Sequence, residues 1–380
     1  MRADINVHTR GAALEAGLSL QQKRQATLLY HWMSLDYLKA LKTLIDALLH
    51  GVDVDLELAK QQGRDILLTN DRWGVRDTAT NWSTFVYSSL EDFRKATIKD
   101  IALRAVESYE FTGANQCSRM IEEHSSLWMT PDEEQRFKKQ WEKVYRYAGK
   151  VDSAAGTGGA RNLDDFAMVM AWEESRTLFP RLPKLRVRTD VFGVSGKRPP
   201  RTGVYVAQDD PHATLQFAWT GNGDGVIGQA RTFNDIGLRA LAAVGRDALW
   251  VDGSKMAAFA SDAFRRGEVT DRHGFDVDDE KDPRWAGTIV SMQSFVKRPT
   301  DWYFVEMIDG ESDEEDGVEN TNEVVATRLR CAAGQPCPRE GWWFTPSKAN
   351  SRRPFHQGEV MPAFTTDYGA THWQWDEHQG

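Results

Sequence analysis

Apolar residues in the first half of the chain recur at helical spacing. From about Leu20 to His50, Tyr37, Leu41, Leu44 and Leu48 fall on one line, and Leu38 and Ile45 widen it, so this helix is expected to pack on more than one neighbour. A second helix is predicted from about Ser88 to Glu110, with Ile98, Ile101, Ala105 and Tyr109 on one face, resuming through Cys117 to His124 after a break at Gly113. The clearest helix start is Thr130: its hydroxyl can accept from the free backbone donors, Glu133 can reach back, and Pro131 sits where a missing N–H costs nothing. Phe137, Trp141, Val144 and Ala148 continue that stripe, and Gly149 is expected to end it. A further helix is predicted from about Leu163 to Leu178, against Pro180.

The pattern changes after Pro183. Short β-like runs appear between Gly, Pro and Asp residues. Leu215, Phe217 and Trp219 alternate with Gln216 and Ala218, as in a half-buried strand leading into a tight reversal at Gly221–Gly225. Two helices are expected next, one opened by Thr232 with Asp235 three residues on, the other by Ser254. Strand-like runs return at Thr288–Met292, Trp302–Met307, Val324–Leu329 and Trp342–Thr345, and Trp373 and Trp375 flank Gln374 in a last one. The pattern predicts an α+β protein. An all-helical part (1–183) precedes a mixed α+β domain (184–380) that has a mostly antiparallel sheet and a Trp-rich C-terminal segment.

Composition narrows the function. With 380 residues, 41% hydrophobic and 27% charged, the chain is globular and long enough for two domains. A net charge of −9 disfavours nucleic acid and anionic membrane surfaces as partners and suits a basic protein. The N-terminus lacks a signal-peptide core and the longest apolar run is Phe166–Trp172, so a cytoplasmic location is expected. Three cysteines, Cys117, Cys331 and Cys337, agree with a reducing compartment.

Most chemical motifs resolve into structural readings. Gly156–Ala160 lacks the ending of a phosphate loop and reads as a linker. Asn222, Asp224, Gly225 and Ile227 match part of a calcium loop, but Arg231 stands where its last carboxylate belongs, so a turn is expected. Cys331 and Cys337 are spaced too widely for a usual zinc pair, and structural thiols or a labile disulfide are preferred. Glu122/Glu123 and Glu173/Glu174 are adjacent on helices, so they are expected to be solvated or salt-bridged rather than paired for catalysis. His31, among apolar neighbours, reads as a core residue. The arginines of Ser351–Arg353 are expected to stack or form ion pairs, and Trp342, Trp343, Trp373 and Trp375 to build a core. No catalytic residue, cofactor or metal is assigned.

The segments Thr202–Gly221, Thr232–Trp250, Arg330–Pro362 (RCAAGQPCPREGWWFTPSKANSRRPFHQGEVMP) and Asp367–Asp376 (DYGATHWQWD) together resemble the immunity proteins of bacterial polymorphic toxin systems, types seventy-one and seventy-two. The resemblance covers mainly Arg188–Asp376. It implies a non-enzymatic protein that binds and neutralises a cognate toxin delivered by a type VI or contact-dependent machine. Two acidic stretches, Asp276–Asp282 and Glu311–Glu319, read as loops. They supply candidate toxin contacts: Asp276, Asp278, Asp279, Glu280 and Asp282, and Asp313, Glu314, Glu315 and Asp316. Charged loops facing a basic toxin would speed association. The competing readings are a hydrolase of a small substrate that uses a cleft between the helical and α+β parts, and an adaptor subunit of the secretion apparatus.

Overall fold

The computed structural model describes residues 17–64, 79–156, 163–270, 285–313, 330–345, 351–363 and 372–376. The chain divides into two compact units, Met1–Asp316 and Gly317–Gly380. Its class is α+β, with helices first and antiparallel sheets after them.

The long first helix predicted from periodicity is two helices, α1 (Leu20–Trp32) and α2 (Leu35–Gln61). The break comes at Ser34, whose extended backbone ends one helix while its hydroxyl accepts from the Tyr37 N–H at 3.1 Å to start the next. α1 itself opens with a reciprocal cap between Ser19 and Gln22. A short helix, α3 (Ala79–Trp82), runs through a π turn into α4 (Ser88–Leu103), and α5 (Ala114–Glu123) follows. The predicted Thr130–Glu133 capping box opens α6 (Pro131–Ala155). Gly149 does not end it, in correction of the expectation. A glycine inside a helix costs about 1 kcal/mol, which the burial of Val151, Ala154 and Ala155 one turn further on outweighs. α7 (Asp165–Ser175) completes the helical part.

Four antiparallel strands form the main sheet in the order β1–β6–β2–β3, with β1 Pro183–Val194, β2 Gly203–Ala207, β3 Gln216–Ala218 and β6 Asp301–Ser312. β6 lies between β1 and β2, so Val305 faces both Val187 and Val204. The alternation around β3 is real, yet the strand is buried on both faces. Phe217 and Trp219 pack with α1 and α6, while Ala218 joins Tyr205, Trp302 and Phe304 on the other side. Leu28 and Leu29 of α1 lie in one core with Val204, Val206 and Val305, and the Tyr30 hydroxyl donates to the Val305 carbonyl. Helices and sheet therefore share a core across Pro183, where the sequence suggested a domain boundary.

β4 (Ala230–Phe233) and β5 (Phe295–Arg298) form a two-stranded sheet beside α8 (Asp235–Val244), α9 (Gly253–Arg265) and α10 (Trp285–Ser291). Thr232, expected as a cap, lies in β4, and Asn234 caps α8 through the Ile236 and Gly237 N–H groups. Asp252 rather than Ser254 caps α9. The strand predicted at Thr288–Met292 is helix α10: Ala286, Ile289 and Val290 are all buried, and a short apolar run alone does not separate the two. Val324–Leu329 lies outside the described residues.

The smaller unit holds a second antiparallel sheet in the order β7–β10–β8–β9 (Arg330–Ala332, His372–Trp375, Gly341–Phe344, Arg353–Phe355). Its core is Cys331, Cys337, Trp343, Phe355, Met361 and Trp373, and both thiols are free. Among the described residues no helix is long and apolar enough to cross a membrane.

Two features of the larger unit lead to predictions. The Gly221–Gly225 turn is a short 3₁₀ segment in which Asn222 Oδ1 accepts from Trp219 Nε1 at 2.7 Å and from the Asp224 N–H at 3.0 Å. Asn222 Nδ2 reaches Ser108 at 2.7 Å, so the side chain that matches a calcium-loop position is a structural tie within the expected turn. A Cβ on Gly225 would sit 1.9 Å from the Trp219 carbonyl oxygen, so Gly225→Ala is expected to lose about 1–3 kcal/mol in urea unfolding.

In the second feature, Asp100 of α4 is buried one turn before Arg104, and Asp100 Oδ2 and Arg104 Nε and Nη2 have no hydrogen-bond partner. Burial pushes the Asp100 carboxyl up to about 7, with Glu110 and Asp152 raising it further and Arg104 and Lys99 opposing. The folded state thus holds this proton more tightly than the unfolded chain. The stability it supplies is complete below the ordinary carboxylate range and lost as pH rises through about 7. Asp100→Asn is expected to gain more stability over the parent at pH 8 than at pH 5, in unfolding curves at both values.

Candidate functional site

The acidic residues expected to meet a partner divide in two. Asp276, Asp278, Asp279, Glu280, Asp282, Glu314, Glu315 and Asp316 lie outside the described residues. Asp313 is described, and it forms an ion pair with Lys23 of α1 at 2.8 Å. The second acidic stretch also begins in a strand and not a loop: Glu311 and Ser312 end β6, and Glu311 pairs with Lys184 of β1 at 2.7 Å. The division between the two compact units falls within this stretch.

The adjacent carboxylates are spent as expected. Glu173 pairs with Arg176 at 3.5 Å and Glu174 with Lys150 at 3.0 Å, while Glu122 accepts from Ser118. Arg231 of the calcium-like spacing pairs with Asp164 at 3.0 Å. His31 sits edge-on between Tyr37 and Phe179, and burial lowers its pKa. Among the described residues no group of His, Cys, Asp and Glu could hold a metal.

In the larger unit, a cavity of about 270 Å³ opens between α1, α7, the 211–213 loop and the 246–251 loop. This is where helical and α+β parts meet. Its fixed point is Asp165, 3% exposed, placed at the start of α7 by the capping residue Asp164. Asp165 Oδ2 accepts from Arg246 Nη2 at 2.9 Å and from Trp250 Nε1 at 2.8 Å. Trp250 adopts φ 72°, a left-handed conformation unusual for a bulky residue. Its fully buried ring, packed edge-on against Phe166 and tied to Asp165, holds it there. On the opposite wall Arg24 lies over the Trp172 ring at 5.4 Å. Arg24 Nε and Gln21 Nε2 are both buried without a hydrogen-bond partner. The cavity can hold and orient a ligand; its deepest acid, Asp165, already has two donors.

The smaller unit presents a different chemistry. Arg352 lies over Trp342 at 4.3 Å and pairs with Asp376, while Arg339 lies over Trp375 at 4.6 Å. Arg353 lies over Phe355 at 4.5 Å and Trp373 at 5.4 Å. The arginines of Ser351–Arg353 thus stack, as their tryptophan-rich setting suggested. The four tryptophans divide: Trp343 and Trp373 are fully buried, whereas Trp342 and Trp375 are half-buried.

Sequence reasoning missed Arg24, Gln21, Asp165, Arg246, Trp250 and Arg339. For Asp165 the Asp164–Asp165 pair at the head of an apolar run was a readable helix start. For Arg24, whose distinction is a missing partner, the sequence carries no sign.

No protein-family model matches the chain, and no curated protein or solved structure does either.

Removing the Asp165 carboxylate leaves Arg246 and the Trp250 indole without their acceptor. Asp165→Ala is expected to lose roughly 1.5–3 kcal/mol in denaturant unfolding, and Asp165→Asn less. A loss equal to that of an exposed aspartate would show that the tie carries no weight.

Proposed function

We propose that the chain is an immunity protein that binds and neutralises a cognate bacterial toxin by stoichiometric protein–protein inhibition, without turnover or cofactor. The observation that carries this reading is the arginine–tryptophan stacking of the smaller unit. Tryptophan and arginine are the residues most enriched among those that dominate binding energy at interfaces. Arg352, ordered by both Trp342 and Asp376, and Arg339, stacked on Trp375, lose less freedom on binding than unconstrained side chains would. The resemblance of Arg188–Asp376 to toxin-immunity proteins covers this same unit.

The chain's net charge of −9 supports a basic partner, whose encounter it would accelerate. In this reading the complex forms in the cytoplasm of the producing cell. The competing hydrolase reading would use the cavity of the larger unit, whose most buried carboxylate is held by Arg246 and Trp250 instead of standing ready as an acid or base.

The test is co-expression with the toxin encoded beside this gene in a sensitive host, followed by purification through a tag on one partner. Rescue with a one-to-one complex is expected. Trp342→Ala and Arg352→Ala should each weaken the complex by about 2 kcal/mol, close to thirtyfold, in a titration. An active toxin that kills in the presence of well-expressed protein would overturn the pairing.

A further inference from the structure

We propose that the cavity between α1 and α7 is a binding site for a small organic carboxylate, an acid group on an apolar body. The site lies in the larger unit and stands or falls separately from toxin binding.

Arg24 carries the inference. Its guanidinium lines the cavity, forms no ion pair with any described residue, and its buried Nε has no acceptor. The cavity's other inner cation, Arg246, is neutralised by Asp165. Glu173 is turned to Arg176, and Asp247 is exposed at the rim. An unpaired guanidinium in a partly buried setting is costly. Its planar fork of donors matches a carboxylate in size and geometry. Gln21 lies three residues earlier on the same helix, hence on the same face, and its buried Nε2 is a second donor without an acceptor. Both residues line one cavity one turn apart, so an acid group seated there is met by the Arg24 guanidinium with the Gln21 amide beside it.

The remaining lining sets the body of the ligand. Leu20, Val169, Trp172, Leu249 and Val251 give the cavity apolar walls. Arg24 over the Trp172 ring places the charged fork beside an aromatic face, so the acid and its carbon skeleton are received side by side. A volume of about 270 Å³ accommodates an aryl or short alkyl acid. The pairing of Arg246 with Asp165 keeps the opposite wall neutral, so the acid group is directed to Arg24.

The experiment compares phenylacetate with its neutral isostere phenylacetamide, by saturation-transfer NMR and by thermal shift, on the full chain and on Arg24→Met. Methionine keeps most of the arginine's stem and removes its charge. The parent should bind phenylacetate about tenfold more tightly than the amide, as expected when a charge-assisted hydrogen bond is gained. Arg24→Met should bind the two alike while melting at or above the parent temperature, because an unpaired cation has been removed. Gln21→Leu should weaken the acid and leave the amide unchanged. Equal binding of acid and amide by the parent, persistence of the preference in Arg24→Met, or no binding of either at tens of millimolar would each overturn the proposal and leave a water-filled cleft.

Discussion

Helix α1 must meet both the other helices and the main sheet within one shared core, and the larger unit is organised around that demand. Leu28 and Leu29 reach the main sheet, the Tyr30 hydroxyl donates to the Val305 carbonyl, and Trp32 packs among the helices. On its N-terminal turns the same helix turns Gln21 and Arg24 to the cavity, while Lys23 takes Asp313. A helix with partners on several sides cannot keep a narrow apolar stripe. Its polar residues must then be bonded individually. Gln25, for example, accepts from the Leu215 N–H at 3.0 Å. That bonding is incomplete at Gln21 Nε2 and Arg24 Nε.

How much was legible depended on whether the signal was local. The Thr130–Pro131–Glu133 cap could be read because its partners lie three residues apart. The alternation around Phe217 could be read for the same reason. The break at Ser34 could not, because apolar spacing continues through it and a serine within a helical run is unremarkable until its backbone turns extended. α10 reads as a strand in sequence because β-branched Ile289 and Val290 resemble one when the packing around them is unseen. The boundary at Pro183 marked a change of secondary structure, whereas a compact unit is defined by which side chains share a core.

The candidate sites follow the same rule. Charge alone selected the acidic runs, and charge does not report pairing: Asp313 proves to be held by Lys23. The stacking of the Ser351–Arg353 arginines was anticipated because tryptophans stand close by in sequence. Asp165, Arg246 and Trp250 meet across 81 and 85 residues of chain, so no spacing could have joined them.

The position of β6 has a consequence in time. It is the inner strand between β1 and β2, yet it is made after both, and its carbonyl at Val305 meets a hydroxyl 275 residues earlier. During synthesis the faces of α1, β1 and β2 that it covers stay open until the ribosome has passed Ser312. Such late, distant pairing slows folding, because loop closure comes before the contacts that reward it. The part of the apolar surface of α1, β1 and β2 that β6 covers is therefore closed late, later than the chain's helical content alone would suggest.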